Sequence, residues 1–150
     1  MTDRVRAIGE ILDRHPEAFV VLSNGLTSRE AVHFRRSDRC LYLLHAMGEA
    51  LAVGVGLAQA RPNVEVVVVE GDNNALMGLA AWALMPVPNL RYYVLVNGIA
   101  ETTGGQELPG LPVVPEWCRV VGIAPGKADT PNPPPPGKIW ARCAAWLAGR

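Results

Sequence analysis

The chain has 150 residues, of which 49% are hydrophobic and 19% charged, so a single globular domain with a full core is expected. Fourteen basic residues balance fourteen acidic ones, which leaves no charge excess for nucleic acid or an anionic membrane. The charged N-terminus lacks an apolar signal core, and no apolar stretch is long enough to span a membrane. The three cysteines fit no metal or redox spacing and are expected to be buried thiols of a cytoplasmic protein.

Hydrophobic periodicity predicts alternating helices and strands. Apolar residues at helical spacing indicate an amphipathic surface helix over Arg4–Arg14, capped by Thr2 or Asp3. The further predicted elements, in chain order, are strand Ala18–Leu22, helix Ser28–Phe34 capped by Ser28, strand Cys40–Leu44, helix Ala50–Ala60, strand Val64–Val69, a helix after Asp72, strand Tyr92–Val96, strand Val120–Ile123 and helix Ile139–Leu147. Residues 1–150 are expected to form one domain, in which a Pro-rich linker over 124–137 leads to the last helix.

The helix over Ala50–Ala60 is rich in small residues. Glycine within a helix costs about 1 kcal/mol relative to alanine. We expect close packing of Gly54 and Gly56 on a sheet or on another subunit to offset that cost.

The apolar runs define the fold class. Val64–Val69 and Tyr92–Val96 are continuous rather than alternating, which is typical of parallel strands buried on both faces. A helix joins the two runs, so a right-handed crossover between parallel neighbours is expected. The sequence therefore predicts an α/β fold, a single three-layer αβα domain with a mostly parallel sheet.

Polar residues follow the two central strands. Asp72 comes just after one strand and Asn97 just after the next, 25 positions later. Ligands of open α/β sheets bind outside the carboxyl ends of the strands, so these two residues can face one crevice. A carboxylate, an amide oxygen and a turn carbonyl suit Mg²⁺, and the amides near Asn73 and Asn74 suit diphosphate. The alternative is that Asp72 only caps a helix and Asn97 only forms a turn.

The stretch GDNNALMGLAAWALMPVPNLRYYVLVNGIAETTGGQ resembles the thiamine-diphosphate motif, in which Gly-Asp-Gly precedes a helix and a strand ending in Asn-Asn. Upstream, LSNGLTSREAVHF and LYLLHAMGEALAVGVGLAQARP resemble two further blocks of sulfopyruvate and phosphonopyruvate decarboxylases. The resemblance covers about residues 3–123. It implies the thiamine-diphosphate-binding fold, with thiamine diphosphate and Mg²⁺ as cofactors.

The resemblance also implies roles for individual residues. The side chains of Asp72 and Asn97 and the backbone carbonyl of Ile99 would bind Mg²⁺. Asn73 and Asn74 are expected to meet the diphosphate, and Gly71 is expected to be a further cofactor-binding residue.

Further roles concern the thiamine rings and the substrate. Met47 would lie under the thiazolium as an apolar wedge, and the backbone of His45, Ala46 and Met47 would contact the aminopyrimidine. Met47 and His45 are thus the catalytic candidates, although a methionine is often a core residue and a histidine a turn residue. The residues expected near the substrate are Thr102, Thr103 and Gly104.

The sequence departs from the family motif at four places. Asn73 replaces the third glycine of Gly-Asp-Gly, and Val96 replaces the first asparagine of Asn-Asn. His45-Ala46 replaces Gly-Ser, and Ala100 stands where some relatives have histidine. These changes suggest relaxed or altered substrate choice.

In the family, a glutamate on a separate pyrimidine-binding domain activates the cofactor. A chain of 150 residues has room for the diphosphate-binding domain only. Sulfopyruvate decarboxylases can divide the two domains between subunits, and this chain resembles the second, beta subunit. The resemblance therefore implies a hetero-oligomer, a dimer of heterodimers or larger, in which a partner chain supplies the glutamate.

The leading hypothesis is a thiamine-diphosphate-dependent carboxy-lyase subunit acting on a small anionic α-keto acid. One alternative is a subunit of an acyloin-forming carboligase, because the same chemistry can attack an aldehyde. Another is a non-catalytic assembly or regulatory module in which Asn73 has spoiled the diphosphate turn. A nucleotide-binding flavodoxin-like domain would explain the fold but not the pairing of Asp72 with Asn97.

Overall fold

The computed structural model describes residues 1–150 and contains five helices and five strands. The helices are α1 Asp3–Arg14, α2 Leu26–Phe34, α3 Ala50–Ala60, α4 Asp72–Met77 and α5 Pro136–Ala148. The strands are β1 Phe19–Leu22, β2 Cys40–Tyr42, β3 Val66–Gly71, β4 Leu90–Val96 and β5 Cys118–Gly122. A 3₁₀ segment, Leu79–Leu84, follows α4.

The strands form one sheet in the order β2-β1-β3-β4-β5, and every pairing is parallel. β3 lies at the centre, where Val66 pairs with Phe19 of β1 and with Leu90 of β4. The valines of β3 are at most 1% exposed, as expected for a strand covered on both faces. The predicted α/β class is confirmed.

Helices cover both faces of the sheet. On one face, α3 approaches Val68, the 3₁₀ segment packs its Trp82 on Tyr92, and α5 packs on Phe19. On the other face, His15 directly after α1 contacts Tyr93, and α2 packs beside α1. Successive strand residues point to opposite faces, so these contacts define three layers.

Several element ends differ from the prediction. α2 begins at Leu26 after Gly25, and Ser28 donates its hydroxyl to the carbonyl of Leu22 at 2.9 Å. The prediction that Ser28 caps this helix was wrong, because Gly25 adopts a φ of 91° and starts the helix earlier. In contrast, Thr2 does cap α1 by accepting the N–H of Val5.

The strand ends follow the available partners. β2 stops at Tyr42 rather than Leu44, because β1, with which it pairs, ends at Leu22. β3 begins two residues later than predicted and runs on to Gly71, while β5 begins at Cys118 rather than Val120. α5 begins at Pro136, so the last two residues of the expected linker belong to a helix, where proline is tolerated in the first turn.

Residues 123–135, termed here the C-terminal strap, have no regular structure and cross α1 and α2. Side chains of these helices bind the backbone of the strap. The hydrogen bonds are Ala124 N–H to Asp3 at 3.1 Å, Arg4 to the Gly126 carbonyl at 2.9 Å, Ala128 N–H to Glu30 at 2.8 Å, and Arg29 Nε to the Thr130 carbonyl at 3.1 Å. The expected linker segment is therefore fixed to the domain along much of its length.

Two further findings concern the whole chain. None of the helices combines the length and the apolar character required to cross a membrane. Cys40, Cys118 and Cys143 are all buried and form no disulfide.

The two glycines of α3 have different surroundings. A Cβ atom on Gly54 would lie 2.2 Å from Cγ2 of Val68, whereas one on Gly56 would meet no atom within 4 Å. Gly54 is thus the glycine that lets α3 approach β3.

We expect Gly54→Ala to lower the free energy of unfolding by about 1–2 kcal/mol, because overpacking against Val68 outweighs the gain in helix propensity. Gly56→Ala is the matched control and should raise that free energy by up to about 1 kcal/mol. Urea denaturation of the purified chain measures both values. Equal stabilities of the two variants would contradict the packing role of Gly54.

Candidate functional site

A polar pocket opens at the carboxyl edge of the sheet. The turns after β1, β3 and β4 supply most of its lining, and the sequence-predicted residues within it are Met47, Gly71, Asp72, Asn73, Asn74, Asn97, Ile99 and Thr102. The turns converge because parallel strands end at the same edge.

Asp72 lies where β3 passes into α4 and is only 7% exposed. Its Oδ2 accepts the backbone N–H of Asn97 at 3.0 Å and that of Gly98 at 2.8 Å. Its Oδ1 accepts the N–H of Asn73 at 2.9 Å. One carboxylate therefore joins the end of β3 to the turn after β4, and the expected proximity of Asp72 to Asn97 is observed.

Asn97 organises the turn that follows β4. Its Oδ1 accepts the N–H of Ile99 at 3.1 Å, and its Nδ2 donates to Glu101 at 2.7 Å. Gly98, between Asn97 and Ile99, has a φ of 76°, which glycine adopts without strain. Asn97 therefore does form a turn, as the alternative interpretation predicted. The amide oxygen still has a second lone pair that a ligand could use.

The two asparagines of α4 face different neighbours. Asn73 lines the pocket, and its backbone does not have the positive φ for which a glycine would be needed. Asn74 also lines the pocket but uses its side chain as a brace: Nδ2 donates to the carbonyl of Asn24, and Oδ1 accepts the N–H of Gly48.

The turn before α3 brings one of its three candidates to the pocket. Met47 is 39% exposed and lines the pocket, whereas His45 and Ala46 do not. His45 is exposed and has a φ of 54°, and its N–H donates to Oδ1 of Asn24. Similarly, Thr102 lines the pocket, while Thr103 and Gly104 are exposed outside it.

The pocket also contains residues that the sequence did not single out. The turn from Asn24 to Thr27 contributes to the lining, and α2 begins there without a side-chain cap. Thr27 is 4% exposed, and helix starts of this kind favour anions.

A buried ion-pair network supports one wall. Arg4, predicted to lie on a surface helix, is 5% exposed and pairs with Glu30 and Glu101. Arg4 lies four and seven positions before the buried Ile8 and Ile11, so helical spacing places it on the buried face of α1. Its ion-pair partners are distant in sequence and are identified only by the structure.

Carboxylates outnumber cations around the pocket. Among the residues that line the pocket, Asp72 and Glu101 carry two negative charges, against the single positive charge of Arg4. Asp72, Asn97 and Ile99 line the same pocket and possess a carboxylate, an amide oxygen and a backbone carbonyl. Such a set of hard oxygen donors fits a divalent cation such as Mg²⁺.

A second buried carboxyl lies two residues before Asp72. Glu70 is 1% exposed; its Oε2 accepts the Tyr92 hydroxyl at 2.7 Å, and its Oε1 has no hydrogen-bond partner. The indoles of Trp82 and Trp117 pack around Tyr92. Burial among these rings raises the pKa of Glu70 to about 7, although the hydrogen bond from Tyr92 opposes the shift.

The fold and pocket together define a cofactor-binding α/β domain. Residues 23–114 match the family model described as thiamine pyrophosphate enzyme, C-terminal TPP binding domain. This range covers more than half of the chain and includes all three turns that form the pocket. The chain belongs to this family of thiamine pyrophosphate enzymes.

Individual relatives are similar over about the same length. The phosphonopyruvate decarboxylase of Streptomyces hygroscopicus is 41% identical over 107 residues, which are 69% of this chain and 26% of that protein. The sulfopyruvate decarboxylase subunit beta of Methanothermobacter thermautotrophicus is 37% identical over 109 residues, 71% of this chain and 58% of the relative. The sulfopyruvate decarboxylase subunit beta of Methanocaldococcus jannaschii is 32% identical over 108 residues, which are 69% of this chain and 57% of that relative. The chain thus spans less than two thirds of each of these relatives.

The raised pKa of Glu70 predicts a pH-dependent stability. The unfolded chain ionises this group at its ordinary pKa of 4.5, and the folded chain at about 7. Between these values the unfolded state binds fewer protons, so the free energy of unfolding falls as the pH rises and is level above the window. The loss is on the order of 3 kcal/mol.

Glu70→Gln cannot ionise, so it should be more stable than the wild type at about pH 8 and should lose this part of the pH profile. Urea denaturation at about pH 5 and about pH 8 measures the effect. Glu10→Gln, at an exposed position of α1, is the matched control and should keep the wild-type profile. A Glu70→Gln profile identical to that of the wild type would refute the assignment.

Proposed function

We propose that the chain is the diphosphate-binding subunit of a two-component thiamine-diphosphate-dependent decarboxylase. The observation that carries this proposal is the meeting of Asp72 and Asn97 at one polar pocket, with Asp72 accepting hydrogen bonds from the Asn97 turn. The family match and the names of the relatives support the same conclusion.

In this proposal Mg²⁺ is held by the carboxylate of Asp72, the amide oxygen of Asn97 and the backbone carbonyl of Ile99. The excess of carboxylates around the pocket favours the cation. The diphosphate would lie against Gly71 and Asn73, and against the uncapped start of α2 with the Thr27 hydroxyl. Asn74 acts indirectly, because its side chain holds the turns of Asn24 and Gly48 in place.

The remaining roles follow from position. Thiamine diphosphate supplies a nucleophilic carbon for the α-keto group and a cationic ring that stores the electrons released with CO₂. The exposed part of Met47 presents an apolar surface to the rings of the cofactor. Thr102 lies at the pocket where the substrate would enter, with Thr103 and Gly104 further out.

The activating carboxylate is assigned to a partner chain. Glu49 is exposed and does not line the pocket, and Glu101 is engaged with Arg4 and Asn97. Two relatives are named as beta subunits, which supports an assembly with a second kind of subunit. Small anionic α-keto acids, phosphonopyruvate or sulfopyruvate, are the proposed substrates because those relatives are named for them.

We expect Asp72→Asn to weaken Mg²⁺-dependent binding of thiamine diphosphate by more than about tenfold, because it removes the charged metal ligand. Its amide oxygen can still accept the two N–H groups of the Asn97 turn, and only the hydrogen bond from Asn73 is lost. Isothermal titration calorimetry with and without Mg²⁺ measures the binding. Asp13→Asn, at an exposed position of α1, should bind as the wild type does. Full binding by Asp72→Asn would show that the metal lies elsewhere.

The activity itself requires the second subunit. The chain should release CO₂ from phosphonopyruvate or sulfopyruvate when it is co-expressed with a subunit that carries a pyrimidine-binding domain and is supplied with thiamine diphosphate and Mg²⁺. Release of CO₂ is the readout, and the Asp72→Asn complex is the negative control. Cofactor binding without CO₂ from either acid would favour a carboligase, and no cofactor binding would favour an assembly module.

A further inference from the structure

The side chain of Asn97 is held from two sides. Its Oδ1 accepts the N–H of Ile99 at 3.1 Å, and its Nδ2 donates to Oε2 of Glu101 at 2.7 Å. A backbone N–H can only donate a hydrogen bond, and a carboxylate can only accept one. A reversed amide would place two donors together at Ile99 and two acceptors together at Glu101, so the two neighbours select one orientation.

Glu101 is itself held firmly. Its side chain is 11% exposed, its Oε2 also accepts from the guanidinium of Arg4, and its Oε1 accepts the N–H of Gly126 at 2.6 Å. Arg4 in turn donates to Glu30 at 3.3 Å and to the carbonyl of Gly126 at 2.9 Å. The carboxylate that faces Asn97 is thus attached to α1 and to the C-terminal strap, two parts of the chain distant in sequence.

We propose that Glu101 is a positioning residue for the metal site, which orients the Asn97 amide so that Oδ1 is the atom available to Mg²⁺. The inference rests on the proposed function, in which Asn97 is a ligand. Mg²⁺ takes oxygen ligands, and the amide nitrogen of asparagine is a donor with no acceptor capacity. Because the amide is already fixed, Mg²⁺ binding does not have to select one of two amide orientations. Groups that orient metal ligands generally act in this way.

The role predicts an unusual response to added charge. An extra carboxylate among metal ligands normally favours a cation. In Asn97→Asp, however, the second carboxylate oxygen takes the place of Nδ2 and faces Glu101 at close range. Asn97→Asp should therefore weaken Mg²⁺ binding while Glu101 is present and strengthen it in the background of Glu101→Ala.

The test is a titration of the purified full chain with Mg²⁺ at a fixed concentration of thiamine diphosphate, measured by calorimetry. We expect Glu101→Ala to weaken Mg²⁺ binding by about tenfold. Glu101→Gln can still present an oxygen to Asn97 and should recover most of the affinity. Glu107→Ala removes an exposed carboxylate from the same loop and should leave the affinity unchanged.

The outcomes separate the two levels of the proposal. A wild-type chain that binds no Mg²⁺ with thiamine diphosphate would overturn the cofactor site and this inference with it. If the wild type binds Mg²⁺, either of two results would overturn the positioning role alone. One is unchanged Mg²⁺ binding by Glu101→Ala, and the other is an equal loss of binding in Glu101→Gln and Glu101→Ala. If Glu101→Ala does not fold, as judged by circular dichroism, Asn97→Asp alone decides, since tighter Mg²⁺ binding in that variant contradicts the proposal.

Discussion

The hydrogen bonds of the Asp72 carboxylate are the interaction on which the rest of the pocket depends. This carboxylate accepts two backbone N–H groups of the turn after β4 and one of α4. These N–H groups are partly buried, and a fully buried N–H that is left without a partner costs about 1–3 kcal/mol. The turn thus fixed carries Asn97, whose side chain meets Glu101, and Glu101 meets Arg4 of α1. The hydrogen bonds that order the pocket thus start from one side chain at the carboxyl end of the central strand.

The negative charge in the pocket couples the stability of the domain to the binding of a cation. Asp72 and Glu101, with only Arg4 to oppose them, leave an excess of negative charge in the pocket, where Asp72 is buried. A bound cation offsets that excess, and any ligand that binds the folded state alone also stabilises it. In the proposed function, binding of the cofactor with its cation and the stability of the fold are therefore coupled.

The sequence predicts that Asp72 and Asn97 meet, but it does not predict the residues that hold them in place. Continuous valine runs predict a parallel sheet, and parallel strands must end at one edge, so the meeting of Asp72 with Asn97 follows from spacing alone. The cap of α2 was mispredicted, because the conformation of Gly25 decides where that helix starts. The ion-pair partners of Arg4 could not be predicted either. A charge on an amphipathic helix normally faces solvent, and its partners lie 26 and 97 positions away.

The hydrogen bonds of the C-terminal strap affect the order in which contacts form as the chain folds. Ala124 is bound to Asp3, and Gly126 to Arg4, across 121 and 122 positions of the chain. Contacts of such sequence separation carry a high loop-closure entropy and form late in folding. During synthesis, β1, β3 and β4 can pair while the strap is still within the ribosome. The hydrogen bonds that Arg4 and Glu101 make to Gly126 therefore form only after translation has passed the strap, so this wall of the pocket gains its last support after β1, β3 and β4 have been synthesised.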